Sequence, residues 1–149
     1  MNDEQKADIK MHVLLGGLGE KPDDGYRWNG FGEVSIKLEN RFERIADQYE
    51  KAGVPEKARE VRKRLAELAL AREDLACAAN VYERLGMPDK AKDLKIQMGD
   101  RYVQRRRYFE AARAYHEAGL EDKVDEVWQK LKVAFLEHKF DIKCYHIRE

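Results

Sequence analysis

The sequence predicts an all-helical, right-handed stack of antiparallel helix pairs, preceded by an extra N-terminal helix. Three observations predict it. Gly53, Gly86 and Gly119 recur at a step of 33 residues, and so do Tyr49, Tyr82 and Tyr115, Ala46, Ala79 and Ala112, and Lys57, Lys90 and Lys123. Apolar residues within each step fall three and four apart, as in Leu65, Leu68, Ala69, Leu75, Ala78, Ala79 and Tyr82, which is helical spacing. Breaks fall twice per step, so each step holds two helices of about four turns. A period in the thirties is the mark of stacked supersecondary units, each of which hides its apolar face only against a neighbour.

The elements follow in order. A first helix is expected over 3–15. A segment from Gly16 to Gly32 follows, with six glycines and the aromatics Tyr26, Trp28 and Phe31. It is long for a loop inside a compact domain, and its aromatics are expected to anchor it on the repeat core. Helices are then predicted over 34–52, 56–70, 74–85, 88–104, 108–118 and 121–138. Glycine ends every second helix, in Gly53-Val54-Pro55, Gly86-Met87-Pro88 and Gly119-Leu120-Glu121. Glycine takes the left-handed conformation that stops a helix, and proline suits the first turn of the next. The alternate breaks, near Ala71-Arg72-Glu73-Asp74 and Arg105-Arg106-Arg107, carry no glycine. After Lys139, Phe140, Cys144 and Ile147 continue the apolar stripe of Leu136, and this tail is expected either to cap the last pair or to join two copies. The organisation is thus 1–38, a helix and glycine-aromatic loop; 39–138, the repeats; and 139–149, the capping tail.

Composition narrows the function. The 149 residues carry 29 basic and 29 acidic groups, and charged residues make up 39%. The segments 39–71, 72–104 and 105–137 hold eight basic and seven acidic, six and six, and seven and seven groups. None is a basic block for phosphates, which argues against nucleic acid as partner. Only Arg105-Arg106-Arg107 with Tyr108 and Phe109 points to an RNA-reading repeat. No apolar run has the length of a membrane span, and no signal-peptide pattern opens the chain. Cys77 and Cys144 are the two cysteines, too few for a disulfide framework, so a reducing cytoplasm is expected.

Catalytic chemistry finds no foothold. Ser35 is the sole serine and threonine is absent. His138, Cys144 and His146 lack the paired spacing of a metal site. Cys77 sits among small apolar residues and is expected to be a buried, inert thiol. Gly16-Gly17-Leu18-Gly19-Glu20-Lys21 lacks the Gly-Lys-Ser/Thr ending of a phosphate loop, and no strand precedes it. The acid pairs Glu73-Asp74 and Glu121-Asp122 start helices, where they favour the dipole. No cofactor and no enzyme activity are expected.

These residues resemble the tetratricopeptide repeat. Met98-Gly99 followed by Tyr102 matches the first helix of that motif, and Ala111, Tyr115 and Ala118 match the second. One unit upstream, Leu65-Ala66 and then Ala78, Tyr82 and Leu85 match, with Ala69 in place of the aromatic. Trp128, Leu131 and Phe135 match a further first helix, and Ile45, Tyr49 and Ala52 a second helix alone. The chain departs from the family in carrying Arg62 and Lys95 at the leading bulky position, and in placing proline at Pro55 and Pro88. A second alignment, displaced by one helix, runs through Phe42, Ile45, Ala46, Tyr49, Gly53 and Ala58. The two alignments differ in which helix lines the inner face. The resemblance covers about residues 39–138. It implies a non-catalytic scaffold that binds a peptide or partner helix of another protein in a groove. Under the first alignment that groove is lined by Lys63, Glu67, Ile96, Asp100, Gln104, Gln129 and Val133. Lys63 suits a clamp for C-terminal carboxylates, whereas Glu67 and Glu126 oppose one. A homodimer through the C-terminal tail is the other expected association.

Overall fold

A computed structural model describes the backbone of residues 1–18 and 36–146, and the side chains of 1–15 and 36–138. The aromatics Tyr26, Trp28 and Phe31, and the side chains of Phe140, Cys144 and Ile147, lie outside the described residues. Seven helices make up the described chain: α1 (Asp3–Leu18), α2 (Ile36–Lys51), α3 (Pro55–Ala71), α4 (Leu75–Arg84), α5 (Pro88–Gln104), α6 (Tyr108–Glu117) and α7 (Glu121–His146). No strand occurs among the described residues. The expected helices are all present, and two run further than expected. α1 passes through Gly16 and Gly17, and α7 continues through Lys139 into the tail.

The turns explain the period. Gly53, Gly86 and Gly119 take φ of 79°, 70° and 75°. One residue later, the amides of Val54, Met87 and Leu120 each donate 2.9 Å to the carbonyls of Tyr49, Tyr82 and Tyr115. This six-to-one bond closes a helix on orphan carbonyls, and the left-handed residue before it makes it possible. The alternate breaks use the same geometry without glycine. Glu73 and Arg106 both take φ of 58°, and Asp74 and Arg107 donate to Ala69 and Tyr102 at 2.8 and 2.9 Å. A side chain in this region is strained by roughly 1 kcal/mol or more. Glu73→Gly is therefore expected to stabilise the fold by about 0.5–1 kcal/mol, the relief being partly offset by the greater freedom of an unfolded glycine. A urea titration that finds this variant less stable would contradict the turn. Beyond that turn Asp74 caps α4, its carboxylate accepting from the Cys77 amide at 3.0 Å.

The chain forms two compact units, Met1–Ala91 and Lys92–Glu149. In the first, α1 packs on α2, α2 on α3 and α3 on α4. Phe42, Leu65 and Val81 are its largest fully buried side chains, set among Ala7, Ala46, Ala58, Ala66, Ala69, Ala78 and Ala79. The alanines let helix axes approach, and the large side chains fill what remains. Arg62 is mostly buried. Its guanidinium bonds Glu43 at 3.2 Å and Glu50 at 2.5 Å, joining α3 to α2 by charge-assisted bonds. In the second unit, α6 packs on α7 around Ala111, Ala112, Tyr115 and Val127, with Ile96, Tyr102, Val103, Tyr108, Leu120 and Val124 against them.

Candidate functional site

The repeated tyrosines organise both units. Tyr49 and Tyr115 are buried and Tyr82 is half-buried. In each repeat a lysine eight residues on lies over the ring: Lys57 over Tyr49 at 5.6 Å, Lys90 over Tyr82 at 5.3 Å, and Lys123 over Tyr115 at 5.0 Å. A cation over an aromatic face is attracted by the ring quadrupole. Two of the three phenols also donate to a carboxylate: Tyr49 to Asp8 at 2.5 Å, and Tyr115 to Asp100. The lysines complete both triads, with Lys57 at 3.1 Å from Asp8 and Lys123 at 3.4 Å from Asp100. Burial, and then Asp8, push the Tyr49 phenol up to about 12. Burial and Asp100 raise that of Tyr115 in the same direction. Both phenols therefore stay protonated donors across the physiological range. The Tyr49 hydrogen bond, followed by that of Lys57, holds Asp8 below the usual carboxylate range.

The N-terminal helix thus supplies to Tyr49 what α5 supplies to Tyr115. Asp8 and Tyr49 are 41 residues apart, against 15 for Asp100 and Tyr115. Part of the extra length is the glycine-aromatic segment, and part is helix, since α2 has 16 residues against 10 in α6. The signal was present in the sequence, since Ala7-Asp8, Ala66-Glu67 and Gly99-Asp100 each pair a small residue with an acid.

Among the described residues, surface openings lie in the second unit. One, of about 310 Å³, is lined by Asp100, Val103 and Gln104 of α5, Tyr115 of α6, and Lys123, Glu126, Val127 and Lys130 of α7. The other, of about 350 Å³, is lined by Arg106 and Tyr108, and by Gln129, Lys130, Val133, Ala134 and Glu137 of α7. Lys130 borders both. Of the residues expected in a groove, Asp100 and Gln104 fall on the first opening, and Gln129 and Val133 on the second. Ile96 packs against the core of the unit, and Lys63 and Glu67 are exposed on α3 of the other unit. Arg106, Tyr108, Lys130 and Glu137 line the openings without having been expected there. Arg106 and Tyr108 come from the turn after α5 and the start of α6, whereas Lys130 and Glu137 lie on α7 beside the expected Gln129 and Val133.

The openings offer an aliphatic floor at Val133 and Ala134, with Arg106 and Lys130 as donors and Glu126 and Glu137 as acceptors. Asp100 is already engaged by Tyr115 and Lys123. Such a mixture suits a peptide with both charge signs and an aliphatic side chain. Cys77 is buried, and burial, followed by the Glu39 and Asp74 carboxylates, pushes its thiol up to about 12, so little thiolate forms at neutral pH. No group of three or more His, Cys, Asp or Glu able to hold a metal occurs among the described residues. No described helix is long and apolar enough to cross a membrane. In the basic run, Arg107 stacks over Tyr102 at 5.3 Å and pairs with Glu110 at 2.6 Å, so it is spent within the unit.

Compared with protein-family models, curated proteins and solved structures, the chain matches none, so the functional reading rests on its own residues.

Proposed function

We propose that this protein is a non-catalytic protein-interaction module: a short right-handed stack of helix pairs resembling the tetratricopeptide repeat. It binds a peptide or partner helix of another protein along α5 and α7. One observation supports this reading most. Asp100, Gln104, Gln129 and Val133, four of the seven residues that the resemblance places in a groove, line two openings that share Lys130. The repeated turn and the repeated tyrosine–lysine contact support the stack, since units built alike stack alike.

The test begins with affinity capture from the native lysate, followed by direct binding of the captured partner to the purified chain. Val133 and Gln104 are exposed, so Val133→Asp combined with Gln104→Glu leaves the fold intact. This variant is expected to bind at least tenfold more weakly, a loss of about 1.4 kcal/mol, with an unchanged melting temperature. Unchanged affinity would remove the groove from consideration. Tight, steeply salt-dependent retention of RNA on a filter would replace the proposal with a nucleic-acid reading.

A further inference from the structure

The middle repeat is built like its neighbours but lacks one of their parts. Around Tyr49 and around Tyr115 three groups converge: the phenol, a lysine over the ring, and an aspartate that accepts from both. Around Tyr82 two of the three are in place. Lys90 lies 5.3 Å from the ring centroid, between the 5.6 Å of Lys57 and the 5.0 Å of Lys123. The acid in register with Asp100 is Glu67, and it is exposed. Among the described residues, the Glu67 carboxylate and the Tyr82 phenol take part in no hydrogen bond or ion pair, and the Lys90 ammonium meets the ring but no carboxylate. No buried side-chain N or O in the described residues lacks a partner, so the Tyr82 hydroxyl, which has none, opens to solvent. Ala66 stands where Gly99 admits the Tyr115 ring, and Tyr82 is correspondingly less buried. Glutamate also carries its carboxylate one carbon further from the helix than aspartate does.

A phenol donor and an ammonium, held by the same glycine turn and the same ring contact as in the other two repeats, form a seat for one carboxylate. The filled seats show what fits. Each holds an aspartate that accepts from the phenol and lies 3.1 or 3.4 Å from the ammonium. The first repeat also shows that the acid need not come from adjoining chain, since Asp8 is 41 residues from Tyr49. We propose that Tyr82 and Lys90 bind an aspartate side chain of a partner polypeptide, which accepts from the Tyr82 hydroxyl and pairs with the Lys90 ammonium. This seat, on α4 and the first turn of α5, shares no residue with the two openings, so either reading can fail without the other.

A library of random peptides tests this, displayed through their C-termini so that only side chains supply carboxylates. It is panned on the full chain and depleted on a chain carrying Tyr82→Phe and Lys90→Met. The surviving peptides are expected to share one aspartate. Changing that aspartate to asparagine is expected to weaken binding to the wild-type chain about tenfold, without touching the fold. Lys90→Met alone is expected to weaken binding severalfold, and Val133→Asp with Gln104→Glu to leave it unchanged. In the free chain the Tyr82 hydroxyl meets only water, so Tyr82→Phe is expected to leave the melting temperature unchanged, whereas Tyr115→Phe lowers it. The proposal is overturned if no peptide survives depletion, or if the survivors share no aspartate or bind equally well after its change to asparagine. Tyr82→Phe and Glu67→Gln chains that both melt as low as Tyr115→Phe would overturn it too, since Glu67 would then fill the seat itself.

Discussion

Replacing Tyr115 or Tyr49 by alanine is expected to destabilise its unit by about 3–5 kcal/mol, and the same change at Tyr82 by clearly less. Burying one such ring contributes roughly 2 kcal/mol, and truncation adds the cost of the cavity. At Tyr49 and Tyr115 it also removes the hydrogen bond from the phenol to Asp8 or Asp100. Tyr82 is half-buried, so less apolar area is at stake there. Tyr115→Phe separates the contributions: it keeps the ring and the Lys123 contact, removes only the hydrogen bond, and is expected to cost about 1 kcal/mol. Chemical denaturation followed by circular dichroism measures all four variants. Equal losses at the three tyrosines would show that the rings are buried alike, contrary to the structure.

A valine at Gly99 is expected to cost roughly 3 kcal/mol, and an alanine about 1 kcal/mol or less. Gly99 lies inside α5, where glycine is weaker than alanine by about 1 kcal/mol. Its reason is steric. A Cβ there would lie 2.5, 2.7 and 2.8 Å from three ring carbons of Tyr115. That ring is buried, bonded to Asp100 and covered by Lys123, so it has little room to withdraw. Alanine recovers helix propensity while displacing the ring. Valine adds two methyl groups and a stiff side chain to the same clash. The equivalent position in the preceding repeat is Ala66, whose partner tyrosine is the half-buried Tyr82, in keeping with a ring pushed outward by one methyl group. Combining Gly99→Ala with Tyr115→Ala is expected to be less than additive, since both act on one contact. A Gly99→Val chain as stable as wild type would show that the ring does not sit over this glycine.

Local physics made most of the fold legible. Helix ends near Gly53, Gly86 and Gly119 were foreseeable because a left-handed stop, followed by proline at the first two, is a property of a few adjacent residues. The stops at Glu73 and Arg106 were harder to see, because the same turn there holds residues that do not favour it. The continuation of α1 through Gly16 and Gly17 went unforeseen for the opposite reason, since glycine permits a break without requiring one. The lining of the two openings was half legible. Repeat position selects the helix face that carries Asp100, Gln104, Gln129 and Val133, but Arg106, Tyr108 and Lys130 join them only through packing within the unit. Ile96 shares that repeat position and still turns out to serve the core.

The amino-acid order by itself determined that the seven described helices form, the stops between α2 and α7, and the 33-residue step, because each depends on side chains within about a turn of one another. Tertiary structure alone decided which tyrosines are enclosed, that Asp8 reaches Tyr49 across 41 residues, that Arg62 meets three carboxylates of α2, and that Lys130 borders both openings. These are contacts between groups distant in the chain, and their energies depend on distance and burial, which sequence spacing does not encode.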